Sequence, residues 1–201
     1  MIKGTLMSHL LMILSLTVLF SCSSTPTDKE LLSYGDSLAD TREELEARLT
    51  KVSYESGGDV EFKAFPISET MIKVEVEEIS RIRGFKSKEK DLLFKLRSQK
   101  YAFEKNCFQI NINRIGMTNK ERLKNWKVFI IDSLGRKVPT VVSRGSDRAY
   151  KSIFSGIYGK NQISTMEAIM CSRVKIDLTK GFQLEISNET SPLNTTLSWS
   201  I

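Results

Sequence analysis

Phe108-Gln109-Ile110-Asn111-Ile112-Asn113 alternates an apolar side chain with an amide at every step. Successive side chains of a strand point to opposite faces, so this stretch offers one dry face and one wet face, as a half-buried antiparallel strand does. The same period of two is read in Met71-Ile72-Lys73-Val74-Glu75-Val76-Glu77. It recurs where Val174, Ile176 and Leu178 alternate with Arg173, Lys175 and Asp177. Residues 126–131, the turn Asp132-Ser133-Leu134-Gly135 and residues 136–142 predict a hairpin in which Gly135 is free to take a positive φ. Pro139 lacks an N–H and places the second strand of that hairpin at an edge. Residues 182–187 and 195–201 predict two last strands around an Asn/Ser/Pro loop at 188–194.

Upstream of these strands the pattern changes. Thr41-Arg42-Glu43-Glu44 has the form of a capping box, and Leu38, Leu45, Leu49 and Val52 then fall on one helical face. The stripe lasts too few heptads for a coiled coil, so it is expected to pack on its own domain. Ser56-Gly57-Gly58-Asp59 breaks the helix and marks a boundary. Residues 88–105 fit two patterns, Leu92, Phe94 and Leu96 alternating and Leu92, Leu93 and Leu96 helical; a strand followed by a short helical turn around Tyr101 is expected. Many short strands without βαβ alternation indicate a mainly β domain, an antiparallel sandwich or barrel. A β-sandwich, immunoglobulin-like or similar, is the expected form, preceded by a short helix and a flexible tether.

The N-terminus has a different logic. Met1 to Ser21 runs from a positive start at Lys3 through an apolar core at residues 10–20 to a small residue, the layout of a secretory signal. That core is shorter than the roughly 20 apolar residues needed to span a bilayer. Leu19-Phe20-Ser21-Cys22 resembles the lipobox of bacterial lipoproteins, although Phe20 stands where a small residue is usual. The resemblance covers only the first two dozen residues. It implies that the Cys22 thiol receives a diacylglycerol, that the peptide is cut before it, and that the new amine is acylated, giving a stable anchor of two or more chains. Ser23 to Asp28 is then a Ser/Thr/Pro tether. The organisation expected is a signal at 1–21, the lipidated cysteine, tether and helix at 22–56, and the β domain at 57–201.

Removing 21 of 201 residues leaves 180, enough for one domain and a tether. The only histidine, His9, leaves with the signal. Ser-His-Asp triads, Cys-His pairs and histidine-ligated metals are thereby excluded from the mature chain, and neither a metal nor another cofactor is expected. The full chain carries 30 basic and 24 acidic side chains, a formal +6. Without Lys3 the balance is +5, suited to anionic lipid or polysaccharide surfaces but not patterned for nucleic acid. Cys107 and Cys171 are an even pair in an oxidising compartment, either disulfide-bonded or two buried thiols.

Arg81, Arg83, Lys86, Lys88 and Lys90 form the densest basic cluster, a candidate contact for an anionic surface and otherwise a solvated face. Ser87-Lys88-Glu89-Lys90 has the bare Ser-x-x-Lys spacing of penicillin-binding enzymes without their supporting elements. Glu75, Glu77 and Glu78 could suggest a glycosidase carboxylate pair, yet Glu75 and Glu77 are expected on the wet face of one strand. Gly156-Ile157-Tyr158-Gly159-Lys160 reads as a turn, and Trp126 and Trp199 read as core rather than groove residues. These readings converge on a non-catalytic, membrane-anchored envelope lipoprotein. Its β domain would be structural, or would bind an envelope protein, a polysaccharide or a host-surface partner. An envelope hydrolase using carboxylates or a Ser/Lys pair, and a surface adhesin, are the alternatives. Ser23 after the lipidated cysteine, rather than aspartate, favours the outer membrane.

Overall fold

The structure is a computed structural model that describes residues 41–115, 123–151 and 162–200. The lipobox with Cys22, the tether, Leu38 and the 156–160 turn lie outside the described residues.

Helix α1 (Arg42–Leu49) begins where the capping pattern places it, with Thr41 Oγ1 accepting a hydrogen bond from the Glu44 amide at 3.1 Å. Leu45 and Leu49 are fully buried. The helix stops at Leu49, and Val52 lies instead on strand β1 (Lys51–Glu55), exposed. β1 turns through Ser56-Gly57-Gly58 into β2 (Val60–Pro66), with Gly57 and Gly58 at φ 70° and 98°. The boundary expected at Gly57 thus falls inside a paired hairpin, and Leu45 and Leu49 share one core with Val60 and Phe62.

The remaining strands are β3 (Cys107–Ile115), β4 (Trp126–Asp132), β5 (Lys137–Lys151), β6 (Gln162–Ser172), β7 (Phe182–Asn188) and β8 (Asn194–Trp199). All eight pair antiparallel in the order β1-β2-β3-β6-β5-β4-β7-β8. The mainly β expectation holds. The strands form one barrel-shaped, nearly closed sheet rather than the two facing layers of an immunoglobulin-like sandwich. Its two ends meet where Thr195 Oγ1 of β8 donates to Ser53 Oγ of β1 at 2.8 Å. Curling a sheet onto itself lets one face of every strand share a single interior. Phe62, Phe108, Ile110, Ile130, Leu184, Ile186 and Trp199 fill it, each no more than about 1% exposed. Burying a side chain of this size stabilises by roughly 1.5–3 kcal/mol. Phe182 stacks on Trp199 with centroids 4.7 Å apart, and the Trp199 indole N–H donates to the Leu49 carbonyl at 2.8 Å. That bond ties the end of α1 to the last strand.

The hairpin at Asp132–Gly135 forms as expected, with Gly135 at φ 76°. β5, however, is an interior strand. Pro139 pairs with Phe129 of β4, and pairing with β6 begins only at Thr140, so the proline sits where β5 passes from one neighbour to the other. Its missing N–H interrupts no ladder on the β6 side.

Three expected strands are helices or coil. Residues 71–77 belong to helix α2 (Glu69–Arg83), capped by Ser68 Oγ accepting from the Met71 amide and by Gly84 at φ 66°. The helix is buried on two flanks: Ile72 and Val76 face a second apolar cluster, while Met71 and Val74 join the main core. Two buried flanks on a 3.6-residue helix put apolar side chains at 72, 74 and 76 and imitate a period of two. Residues 87–98 are likewise a helix, α3 (Ser87–Ser98), followed by a π-helical turn at Gln99–Phe103 that matches the turn expected around Tyr101. Leu93, Phe94 and Tyr101 pack against Ile72 and Val76, joining α2 and α3 as a hairpin. Residues 173–177 form no strand. There the Asn106 side chain accepts from the Ile176 amide at 2.6 Å and donates to its carbonyl at 3.0 Å, replacing a ladder neighbour. Ile176 is buried, Val174 is exposed, and Leu178 starts a 3₁₀ turn.

Candidate functional site

The α2–α3 hairpin leaves a cleft of about 760 Å³ between itself and the outer face of β3, β6 and β5. Strand alternation explains the sheet side. Phe108, Ile110, Met166 and Ala168 point inward and are buried, so their neighbours Gln109, Glu167 and Ile169 must point outward. Register then sets Gln109 opposite Ile169, and Ile169 opposite Arg144. The helical side contributes Ile67, Ile72, Leu96 and Tyr101 as apolar surface, with Glu75, Arg97 and Lys100 among them, and α1 contributes Arg42.

Four cations from four elements therefore line one cavity: Arg42, Arg97, Lys100 and Arg144. Its two carboxylates are already engaged. Glu75, 17% exposed, takes Arg42 Nη1 at 3.1 Å on one oxygen and Arg97 Nη1 on the other. Glu167 accepts from Gln109 Nε2 at 2.9 Å. Burial disfavours the charge on Arg42, but its hydrogen bond to Glu46 at 2.6 Å and the nearby Glu75 outweigh that and raise its pKa, so it stays charged. Lys100 lies over the Tyr101 ring with its ammonium 4.9 Å from the centroid. Neither Lys100 nor Arg144 has a carboxylate partner among the described residues. The lining residues sum to two positive charges, and planar guanidinium forks are the groups best matched to a carboxylate or phosphate.

Outside the cleft, a polar row crosses four strands on the outer face. Tyr54 and Asn113 both donate to Glu61, at 3.1 and 2.7 Å, and Thr165 donates to Asn113 at 2.9 Å. Partial burial works against the charge on Glu61, yet the hydrogen bonds from Asn113 and Lys63 prevail and hold its carboxyl below the usual range.

The residues singled out from sequence are spread more widely. Arg81, Arg83, Lys86 and Lys88 are exposed around the α2–α3 turn, away from the cleft lining, and Lys90 pairs with Glu77. That ion pair also occupies the lysine of the Ser-x-x-Lys match. Cys107 and Cys171 face each other across β3 and β6 and form a disulfide, with Cα atoms 4.0 Å apart. Glu75 and Glu77, expected on the wet face of a strand, sit on α2, and only Glu75 reaches the cleft. Trp126 and Trp199 are core. Arg42, Arg97, Lys100, Arg144 and Glu167 carried no motif; they are gathered by strand register and helix packing, which no spacing along the chain encodes. Among the described residues no group of three or more His, Cys, Asp or Glu is placed to hold a metal ion, and no helix is long and apolar enough to cross a membrane. No family model matches the chain, and no curated protein matches it.

Proposed function

We propose that the protein is a lipid-anchored component of the cell envelope, in the outer rather than the inner membrane, whose barrel acts as a non-catalytic binding module. The cleft beneath the α2–α3 hairpin receives an anionic group of its partner, whether an envelope protein or a polysaccharide. The observation that carries the reading is the surplus of cations in the cleft over two carboxylates that are already held. Glu75 is held between two arginines, one on each carboxylate oxygen, an arrangement that suits a group that positions Arg42 and Arg97. Both cleft carboxylates are engaged by neighbouring side chains, which favours the binding reading over the hydrolase alternative.

Two measurements test the parts separately. Labelled palmitate is expected in the wild-type chain and absent from Cys22→Ser, and an unlabelled wild type would end the anchor reading. For the cleft, retention on an immobilised carboxylate polysaccharide such as polygalacturonate is the readout. Arg144→Glu should weaken it about tenfold or more, given roughly 1.5–3 kcal/mol for a hydrogen bond to a charged group. Retention unchanged by Arg144→Glu and by Lys100→Glu would remove the cleft from the function.

A further inference from the structure

Residues 81–100 contain eight basic and two acidic side chains, a formal +6 that equals the net charge of the entire chain. The rest of the protein is therefore balanced, and its positive field originates in the tip of the helical hairpin and in α3. On α3 the inward side is Leu93, Phe94 and Ser98. The outward side carries Leu92, 58% exposed; Leu96, one turn on and 56% exposed, lies at its border with the cleft, and Phe103 continues beyond in the π turn, held edge-on by Phe94 with ring centroids 6.3 Å apart. Ile82, at the end of α2, is 76% exposed. Lys88 and Lys95 flank these side chains, and Arg81, Arg83 and Lys86 surround Ile82. None of these five cations forms an ion pair among the described residues.

Exposed leucines and a phenylalanine bordered by unpaired lysines and arginines have the composition of a helix lying in a membrane interface, apolar side chains toward the acyl boundary and cations at the headgroups. We infer that the outer face of α3 and the hairpin tip form a docking surface for an anionic lipid bilayer. Charge complementarity selects this occupant. Each cation near an anionic membrane surface strengthens binding about fivefold, and the effect accumulates over the cluster. A second copy of the chain would instead bring two +6 surfaces together. The inference rests on the lipid-anchor reading for its setting. An anchor at Cys22 does not by itself specify which side of the barrel faces the lipid; the hairpin does.

The test uses the full processed chain in vesicles of phosphatidylcholine, alone or mixed with phosphatidylglycerol, with brominated acyl chains as quenchers. Trp126 and Trp199 are buried, so a tryptophan introduced by Leu92→Trp reports on the docking face and one introduced by Leu134→Trp, at the exposed β4–β5 turn, on a surface outside the cluster. Expected is a blue shift and quenching for Leu92→Trp in anionic vesicles only. Both should be lost near molar salt, where the Debye length is about 3 Å, and in Lys88→Glu with Lys95→Glu. Flotation with phosphatidylcholine vesicles at molar salt, where docking is lost, reports the anchor. Protein that floats with an unquenched Leu92→Trp keeps the anchor and overturns the docking surface, as would equal quenching from Leu134→Trp or capture of the face by a protein in place of lipid. Protein that does not float, yet quenches on contact with anionic vesicles, supports docking and removes the anchor.

Discussion

Asp132 shows how much one side chain can settle. Its Oδ1 accepts from the amides of Leu134 and Arg136, both at 2.9 Å, and its Oδ2 from Arg136 Nε at 2.7 Å. Desolvation opposes the charge, but these hydrogen bonds outweigh it and hold the carboxyl below the ordinary aspartate value. A carboxyl depressed in the folded state adds stability that is fully present above its unfolded pKa and is lost as pH falls through the folded one. Asp132→Asn should therefore lower the melting temperature at pH 7, with the gap to wild type closing in acid; a gap of constant size from pH 7 to pH 2 would show that charge is not the cause. Glu61 is depressed as well, so part of the acid sensitivity persists in the variant. This turn was legible in the sequence because its chemistry is local: an aspartate to accept two amides and Gly135 to take φ 76° lie within four residues. The Thr41 cap was legible for the same reason.

Elements were legible only where their environment is one-sided. β3, with one dry and one wet face, reads correctly from its alternation, and so do β7 and β8. α2 does not, because it is wedged between the main core and α3, and burial on two flanks erases the difference between periods of 3.6 and two. The stretch 173–177 alternates correctly but finds Asn106 in place of a strand. The cleft cations were illegible because they belong to α1, α3, β5 and the π turn and meet only once the sheet is in register. The disulfide acts at this same scale, joining facing residues of two central strands that lie 64 positions apart. In the chain-entropy account a loop of that length is worth about 4 kcal/mol. Cys107→Ala with Cys171→Ala should lower the unfolding free energy by about that much in denaturant titration, with a steeper dependence on the reduced chain's exposed surface. A loss below about 1 kcal/mol would mean that the β3–β6 pairing constrains the unfolded chain equally well without the bond.

At the level of the whole molecule the barrel has a seam. β1 pairs with β2 and β8 with β7, while the two outer edges meet through the Ser53–Thr195 hydroxyl contact and through Trp199 on Leu49. Backbone groups along such an edge lack a full ladder and open more readily than those of interior strands. Amide exchange is expected to be faster in β1 and β8 than in β3 and β6, and Thr195→Val should widen the difference at a cost of about 1 kcal/mol for the lost hydrogen bond. Uniform protection around the barrel would show that the seam is as tight as the ladders. The sandwich expectation failed at this scale because strand patterns report that one face is dry without saying whether a second sheet or the same sheet covers it. The seam also sets an order of events during synthesis. It joins a strand made near the beginning of the described fold to one made near its end, so a ribosome must release Thr195 and Trp199 before the circle can close.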